Sequence, residues 1–209
     1  LPIGGAFLEN IKNNIEINKI DNLYFGRKFI TSNFKDLIKT DYIQKNFIIN
    51  FFDNSEKLNI YAANLLNKNK VLGRFSGQEE FGARALGNRS IICNPSESSN
   101  VTYINQLVKK RDFWMPFTPS VLEEWQNEYF INPKNVNSNF MSSTFESTDL
   151  AKEHLKAALH PADATIRPQV VKKNINPEYY DLISKFKNLS GIGAILNTSF
   201  NLSGFPNVS

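Results

Sequence analysis

Cysteine is almost absent from this sequence: Cys93 stands alone among 209 residues. A single cysteine excludes an internal disulfide and points to a reducing, cytoplasmic compartment. It sits in the apolar run Ile91-Ile92-Cys93, which reads as a buried structural thiol. Two histidines and one cysteine cannot close a structural zinc site, so no metal is expected on this chain. No apolar run approaches the ~18 residues of a membrane helix. There is no Walker A pattern and no dinucleotide fingerprint after a strand. A Ser-His-Asp context and a paired-carboxylate motif are also missing. Charge of one sign is scarce: the net charge is +4. The lysines are scattered among asparagines rather than gathered as in most nucleic-acid binders. No internal repeat and no low-complexity linker is found. The first residues, Leu1-Pro2-Ile3-Gly4-Gly5, have neither an initiator Met nor a signal-peptide layout, and read as a cut inside a longer chain.

What is present is the composition of an ordinary soluble domain, 41% hydrophobic and 21% charged. Helical spacing of Phe7, Leu8, Ile11 and Ile15 predicts a helix over 7–17. Short strands are expected at 21–25, 46–52, 71–75, 117–122, 140–146, 170–173 and 193–196. A helix start is expected at 32–36. A helix over 56–69, capped by Asn54-Ser55, carries Leu58, Tyr61, Ala62, Leu65 and Leu66 on one face. Further helices are expected over 99–108, with Val101, Ile104 and Leu107 inward, over 123–130, and from Thr148-Asp149 to His160-Pro161. The last, from Asn176-Pro177 to about 188, has Tyr180, Leu182, Ile183 and Phe186 for burial and Ser190-Gly191 closing it. Helices and short strands alternate without strict βαβ regularity. The fold class is therefore α/β (α+β), a twisted mixed β-sheet with flanking helices.

The most informative stretch is 77–90, Gly-Gln-Glu-Glu-Phe-Gly-Ala-Arg-Ala-Leu-Gly-Asn-Arg-Ser. Its glycines, Gly82 among them, let backbone N–H groups approach a ligand. Arg84 and Arg89 offer planar, bidentate donors to phosphate or carboxylate oxygens. Glu79 and Glu80 are expected to orient these arginines. An anion-binding loop is the reading, for a nucleotide or an acyl phosphate. Three more polar clusters lie at predicted strand ends: Lys109-Lys110-Arg111; His160 with Asp163 and Arg167; and Asn197-Thr198-Ser199 with Asn201. Each has a plainer explanation. The basic run could simply face water, His160 could cap its helix, and the Asn-Thr-Ser run could be a hydrogen-bonded turn.

Four stretches in order resemble the O-carbamoyltransferases of the nodulation and antibiotic-biosynthesis type. They are 81–90, 109–122 (Lys-x-Arg … Pro-Phe-x-Pro-Ser-Val-Leu), 160–169 (His-x-x-Asp-x-Thr-x-Arg-Pro-Gln) and 196–206 (Leu-Asn-Thr-Ser-Phe-Asn-x-x-Gly-x-Pro). The resemblance implies two parts in the intact protein. An N-terminal Kae1-like part, of actin/Hsp70 type, holds Fe or Zn and transfers the carbamoyl group. A YrdC-like part makes carbamoyl-adenylate from carbamoyl phosphate and ATP, with Mg. Residues 1–25 are similar to the tail of the Kae1-like part, and 26–209 to the YrdC-like domain without its last elements. By the resemblance, Arg84, Arg89, His160 and Arg167 form the catalytic anion site. Gly82, Asn88, Ser90, Lys109, Arg111, Ser120, Asn197, Thr198, Ser199 and Asn201 hold the nucleotide and acyl groups. The implied partners are ATP, carbamoyl phosphate, a hydroxyl-bearing small-molecule or sugar acceptor and the Kae1-like domain, with neither membrane nor nucleic acid. Ala83 replaces a frequent Pro, Met115 a frequent Arg and Phe205 a common Glu. A second reading is a YrdC-like RNA-binding or degenerate nucleotide-binding module without catalysis, suggested by the positive charge and the basic–aromatic run 109–114.

Overall fold

The computed structural model describes residues 2–28, 34–112 and 114–208, apart from the side chain of residue 35. The first helix, α1 (Pro2–Lys12), starts five residues before its expected start and buries none of its residues. Two short helices follow, α2 (Phe34–Leu37) and α3 (Asp41–Asn46), then the longer α4 (Ser55–Asn67). The Asn54 side chain caps α4 by accepting from the Lys57 N–H, the capping expected from sequence. Residues 32 and 33 of the expected helix start, and residue 113 of the basic–aromatic run, lie outside the described residues.

Five strands form the main sheet: β1 (Leu72–Phe75), β2 (Arg89–Cys93), β3 (Thr118–Leu122), β6 (Gln169–Val171) and β7 (Ala194–Ser199). A two-stranded ribbon pairs β4 (Phe130–Ile131) with β5 (Glu146–Ser147). The sheet order is β1-β2-β7-β3-β6. All pairings are antiparallel except β3 with β6, so the sheet is mixed, as expected.

On one face lie α4 and α8 (Pro177–Ser190), packed together. Asn176 caps α8 by accepting from Tyr179, Pro177 opens it, and Gly191 closes it in the left-handed region at φ 77°. Leu66, Ile92, Leu182, Ile183, Phe186 and Ile195 build the core beneath them. A second cluster, of Ile91, Cys93, Ile104, Phe117, Ala157, Ala158 and Leu196, is the other core. Cys93 is fully buried there, and burial pushes its thiol up, so the structural reading of the thiol holds. Among the described residues no helix is long and apolar enough to cross a membrane.

Several expected elements differ. Residues 21–25 and 46–52 are not strands. The second stretch finds no edge to pair with, and Ile48 stays 93% exposed. The inward face of α4 is turned by about one residue: Asn59, Ala63 and Leu66 are buried, while Leu58 and Tyr61 are exposed. Helix α5 (Ser99–Tyr103) passes into a π-turn over Ile104–Lys109. The wider turn leaves Leu107 exposed and brings Lys109 inward. The expected 123–130 helix is a 3₁₀ turn (Glu123–Trp125) followed by α6 (Gln126–Tyr129). The expected strand over 140–146 is confined to β5, preceded by a single bridge from Phe145 to Ile166. Helix α7 (Asp149–His154) stops well short of His160. In α8, Tyr179 is buried rather than Tyr180.

Candidate functional site

The strand register draws all four polar clusters to one end of the sheet. Phe75 pairs with Arg89 where the 76–88 loop joins β1 to β2. Ser90 pairs with Ser199 near the finish of β7, and Asn197 pairs with Thr118 at the start of β3. Ser120 pairs with Gln169 at the start of β6. The 109–117 and 160–168 segments therefore enter β3 and β6 at the end where the loop sits and where β7 exits. Two clusters precede their strands and the fourth lies partly on β7 itself, rather than following a strand.

Beneath the loop is a buried polar network. Glu80 Oε1 accepts the backbone N–H groups of Leu86 at 2.7 Å, Asn88 at 2.7 Å and Arg89 at 3.2 Å. Glu80 thus shapes the loop backbone, and its charge, with that of Glu79, also favours the charged form of Arg89. The Leu86 carbonyl accepts from Gln169 Nε2 at 2.7 Å and from the Tyr24 hydroxyl at 2.8 Å. Asn197 Nδ2 donates to the Ala85 carbonyl at 3.1 Å and to Ser120 Oγ at 3.0 Å. Ser120 donates to Gln169 Oε1 at 2.7 Å and accepts from Tyr179 at 2.9 Å. Asn176 Nδ2 donates to Asn88 Oδ1 at 3.0 Å, and Gly87 N–H donates to Ser90 Oγ at 3.0 Å. Asn88, Ser90, Ser120 and Asn197 are brought together in this network. Gln169, Tyr179, Asn176 and Tyr24 join them without having been foreseen. Gln169 ends a recognisable motif, whereas Tyr179 needed the correct face of α8, and nothing local marks Tyr24.

The cations divide into groups. Lys109 is buried, and its Nζ donates to Ser199 O at 2.7 Å, Ser199 Oγ at 3.1 Å, Asn201 Oδ1 at 2.9 Å and Asn201 O at 3.3 Å. These oxygens are all neutral. Burial, then the nearby Arg111 charge, pushes its ammonium down to about 8. Arg111 donates from Nε to Asn105 Oδ1 at 2.6 Å and stacks on Phe117 at 4.7 Å. The basic run is therefore not simply a water-facing face, and Asn197-Thr198-Ser199 lie on a strand rather than in a turn. Arg84 is exposed, and its charge adds to burial in lowering the pKa of half-buried Arg167. The two guanidinium charges therefore sense each other across the sheet end. Among the described residues Lys109, Arg111, Arg84 and Arg167 form no salt bridge.

Other predicted residues sit apart. Arg89 is fully buried; Nη1 donates to the carbonyls of Ser76 at 2.7 Å and Asn88 at 3.0 Å, and the guanidinium lies 3.7 Å from the Phe75 ring centre. His160 is in a turn beyond α7, its Nδ1 3.0 Å from Asp163 Oδ1, so helix capping is not its part. Gly82 is exposed at φ 120°, and Thr198 is half-buried on β7. Arg74 was not foreseen; it lies partly buried over Tyr179 with its Nη2 3.8 Å from Glu178. The buried atoms Asn197 Oδ1 and Arg111 Nη2 have no hydrogen-bond partner among the described residues. Among the same residues no cluster of three or more His, Cys, Asp or Glu side chains could hold a metal.

These features define a mixed α/β domain whose one sheet end carries excess positive charge over a buried polar network. The sequence profile of the carbamoyltransferase C-terminus family matches residues 63–209, and the chain belongs to that family. Its relatives include an uncharacterized Methanocaldococcus jannaschii protein, 34% identical over 204 residues, spanning 96% of this chain and 33% of that protein. Nodulation protein NolNO of Sinorhizobium fredii is 42% identical over 144 residues, 67% of this chain and 21% of that protein. The chain thus spans about a third or less of the length of these relatives. Among solved structures, T. kodakarensis HypF matches with TM-score 0.49 and 16% identity over 77% of this chain and 19% of that one. P. abyssi Sua5 matches with TM-score 0.47 and 14% identity over 73% of this chain and 40% of that one.

Proposed function

We propose that this chain is the part of an O-carbamoyltransferase that binds ATP and carbamoyl phosphate and forms carbamoyl-adenylate. The reading is supported chiefly by the strand register, which gathers the segments carrying Arg84, Lys109, Arg111 and Arg167 at one sheet end, with Arg111 Nη2 and Asn197 Oδ1 buried there without hydrogen-bond partners among the described residues. Like charges held together are costly unless an anion joins them. ATP and carbamoyl phosphate, with water, give carbamoyl-adenylate, pyrophosphate and inorganic phosphate. Every species in that balance but water carries phosphate. Such chemistry needs charge neutralisation and in-line placement more than covalent help.

In this reading Arg84 and Arg167 touch the phosphate oxygens. Arg111 Nη2 and Asn197 Oδ1, buried and without hydrogen-bond partners among the described residues, are the donor and acceptor that a nucleotide or carbamoyl group would engage. Lys109 pins Ser199 and Asn201 and adds positive charge from below. Arg89, held by backbone carbonyls, positions the loop. Mg²⁺ would accompany the nucleotide on its own phosphates. We assign residues 1–25 to the tail of a Kae1-like transferase part, which would carry the Fe or Zn and receive the hydroxyl acceptor.

The test is carbamoyl-phosphate-dependent ATP–pyrophosphate exchange with the full-length protein. Arg84→Ala should lower exchange by about 10²–10³-fold, the usual loss for one charged transition-state contact. Absence of exchange in the wild-type protein would sink the reaction proposed. The RNA-binding reading is disfavoured at Lys109, which is turned into the protein, and at Arg111, which stacks on Phe117, while Lys110 and Trp114 of the same run stay exposed.

A further inference from the structure

Residues 22–28 run beside the loop without belonging to the sheet. Phe81 N–H donates to the Leu23 carbonyl at 2.7 Å, Gly26 N–H to Glu79 at 2.9 Å, and Glu79 N–H to Arg27 at 3.0 Å. Lys28 and Gln78 form an antiparallel bridge. In the middle of this seam the Tyr24 side chain turns under the loop. Its hydroxyl donates to the Leu86 carbonyl at 2.8 Å and accepts from Asn176 Nδ2 at 3.1 Å. The same Asn176 Nδ2 reaches Asn88 Oδ1. The peptide at Leu86 is therefore fixed on both sides, its N–H by Glu80 and its carbonyl by Tyr24 and Gln169.

We propose that residues 22–28 are a strap that sets the shape of the 77–90 loop, with Tyr24 as its positioning residue. The strap lies outside the family-matched residues 63–209, so the loop is shaped from outside the segment that carries its signature. Phenylalanine would fill the volume of Tyr24. It would leave the Leu86 carbonyl with Gln169 alone and remove one partner of Asn176. Burial first, with a smaller contribution from Glu80, pushes the Tyr24 hydroxyl up to about 12, so it remains a donor across the working pH range. The strap approaches closely at Gly26, where an added Cβ would meet Glu79 Cβ at 2.7 Å and Glu79 O at 3.0 Å. Tyr24 and Lys28 also help line a cavity of about 650 Å³ together with loop residues Gly77, Gln78 and Asn88 and with Glu178 of α8.

The strap rests on the carbamoyl-adenylate reading only through its kinetic readout. In the full-length protein, Tyr24→Phe is compared with Tyr180→Phe, whose hydroxyl donates to Glu124 and to no residue of the loop among the described residues. Amide hydrogen exchange of peptides covering 82–90 should quicken about tenfold in Tyr24→Phe and stay at the wild-type rate in Tyr180→Phe. Peptides covering β7 should keep their protection. KM for carbamoyl phosphate in pyrophosphate exchange should rise about fivefold while kcat changes less than about twofold. Gly26→Ala, which lifts the strap without touching the core, should move both readouts the same way. Unchanged loop protection in Tyr24→Phe overturns the proposal, as does equal loss in Tyr180→Phe. Faster loop exchange with an unchanged KM overturns it too, because the strap would then only support the fold. If the wild-type protein lacks pyrophosphate exchange, the proposed reaction fails and loop protection alone decides the strap.

Discussion

Lys109 is the residue whose surroundings and charge pull hardest against each other. A buried ammonium surrounded by neutral oxygens is favoured by its hydrogen bonds and opposed by lost hydration. Burial wins, and the group titrates near 8 against the ordinary lysine value of 10.5. The unfolded chain then binds more protons between those values, so the Lys109 contribution to stability rises with pH from about 8 to 10.5. Polyphosphate binding works the other way, because an anion beside Lys109 favours the charged form. ATP affinity should fall about three- to tenfold from pH 7 to 9, and Lys109→Met should flatten that slope. Calorimetric Kd values at pH 7, 8 and 9 check it; a flat wild-type profile removes Lys109 from the nucleotide site. Motif spelling marked Lys109, Arg84 and Arg89 alike as anion contacts. It carried no sign that Arg84 faces out while Arg89 is spent on carbonyl groups, since that difference comes from how the loop folds back on Phe75 and Ser76.

The loop as an element depends on one carboxylate and one glycine. Glu80 Oε1 gathers three backbone N–H groups, and no other side chain of the loop accepts from so many. Glu80→Gln keeps the shape but weakens these charge-assisted bonds, so a loss of about 1–3 kcal/mol is expected in urea unfolding. A loss below that range would mean the loop is held by its neighbours instead. Gly87 has φ 111°, and a Cβ there would collide with the Tyr179 ring. Gly87→Ala should therefore destabilise the fold by several times the ~1 kcal/mol of an ordinary Gly→Ala strain. Elements with strong local signals were legible in the sequence: the Asn54 cap, the Asn176-Pro177 helix start, the Gly191 stop and most of the apolar strands. Elements decided by distant partners were not. The β-branched run at 46–52 lacks a sheet edge, and the π-turn at 104–109 is a packing outcome that spacing does not encode.

At the scale of the whole molecule, one mixed sheet collects loops from across the chain at a single end. The presence of four polar clusters was readable from the sequence, but their meeting place follows from the β1-β2-β7-β3-β6 order, which no local pattern specifies. Lys109 is tied to Ser199, while Arg84 adjoins Ala85, whose carbonyl takes Asn197 Nδ2. Residues 197 and 199 are one side-chain repeat apart on β7, about 7 Å. A ligand anion bridging these groups would clamp the loop, β3, β6 and β7 together, so its binding should stabilise the entire fold. At a hundred times Kd, linkage gives about 2.7 kcal/mol. For a domain of this size that is a melting shift of roughly 5–11 °C. Thermal unfolding of the full-length protein with pyrophosphate, with carbamoyl phosphate and with ATP reads this on the transition of the unit that contains this sheet. The Arg84→Ala, Arg167→Ala double variant removes two like charges that oppose each other, so it should melt no lower than wild type without ligand and lose most of the shift with it. If the shift persists in that variant, the arginine pair is not where the anion sits, and the charge excess at the sheet end belongs to Lys109 and Arg111 alone.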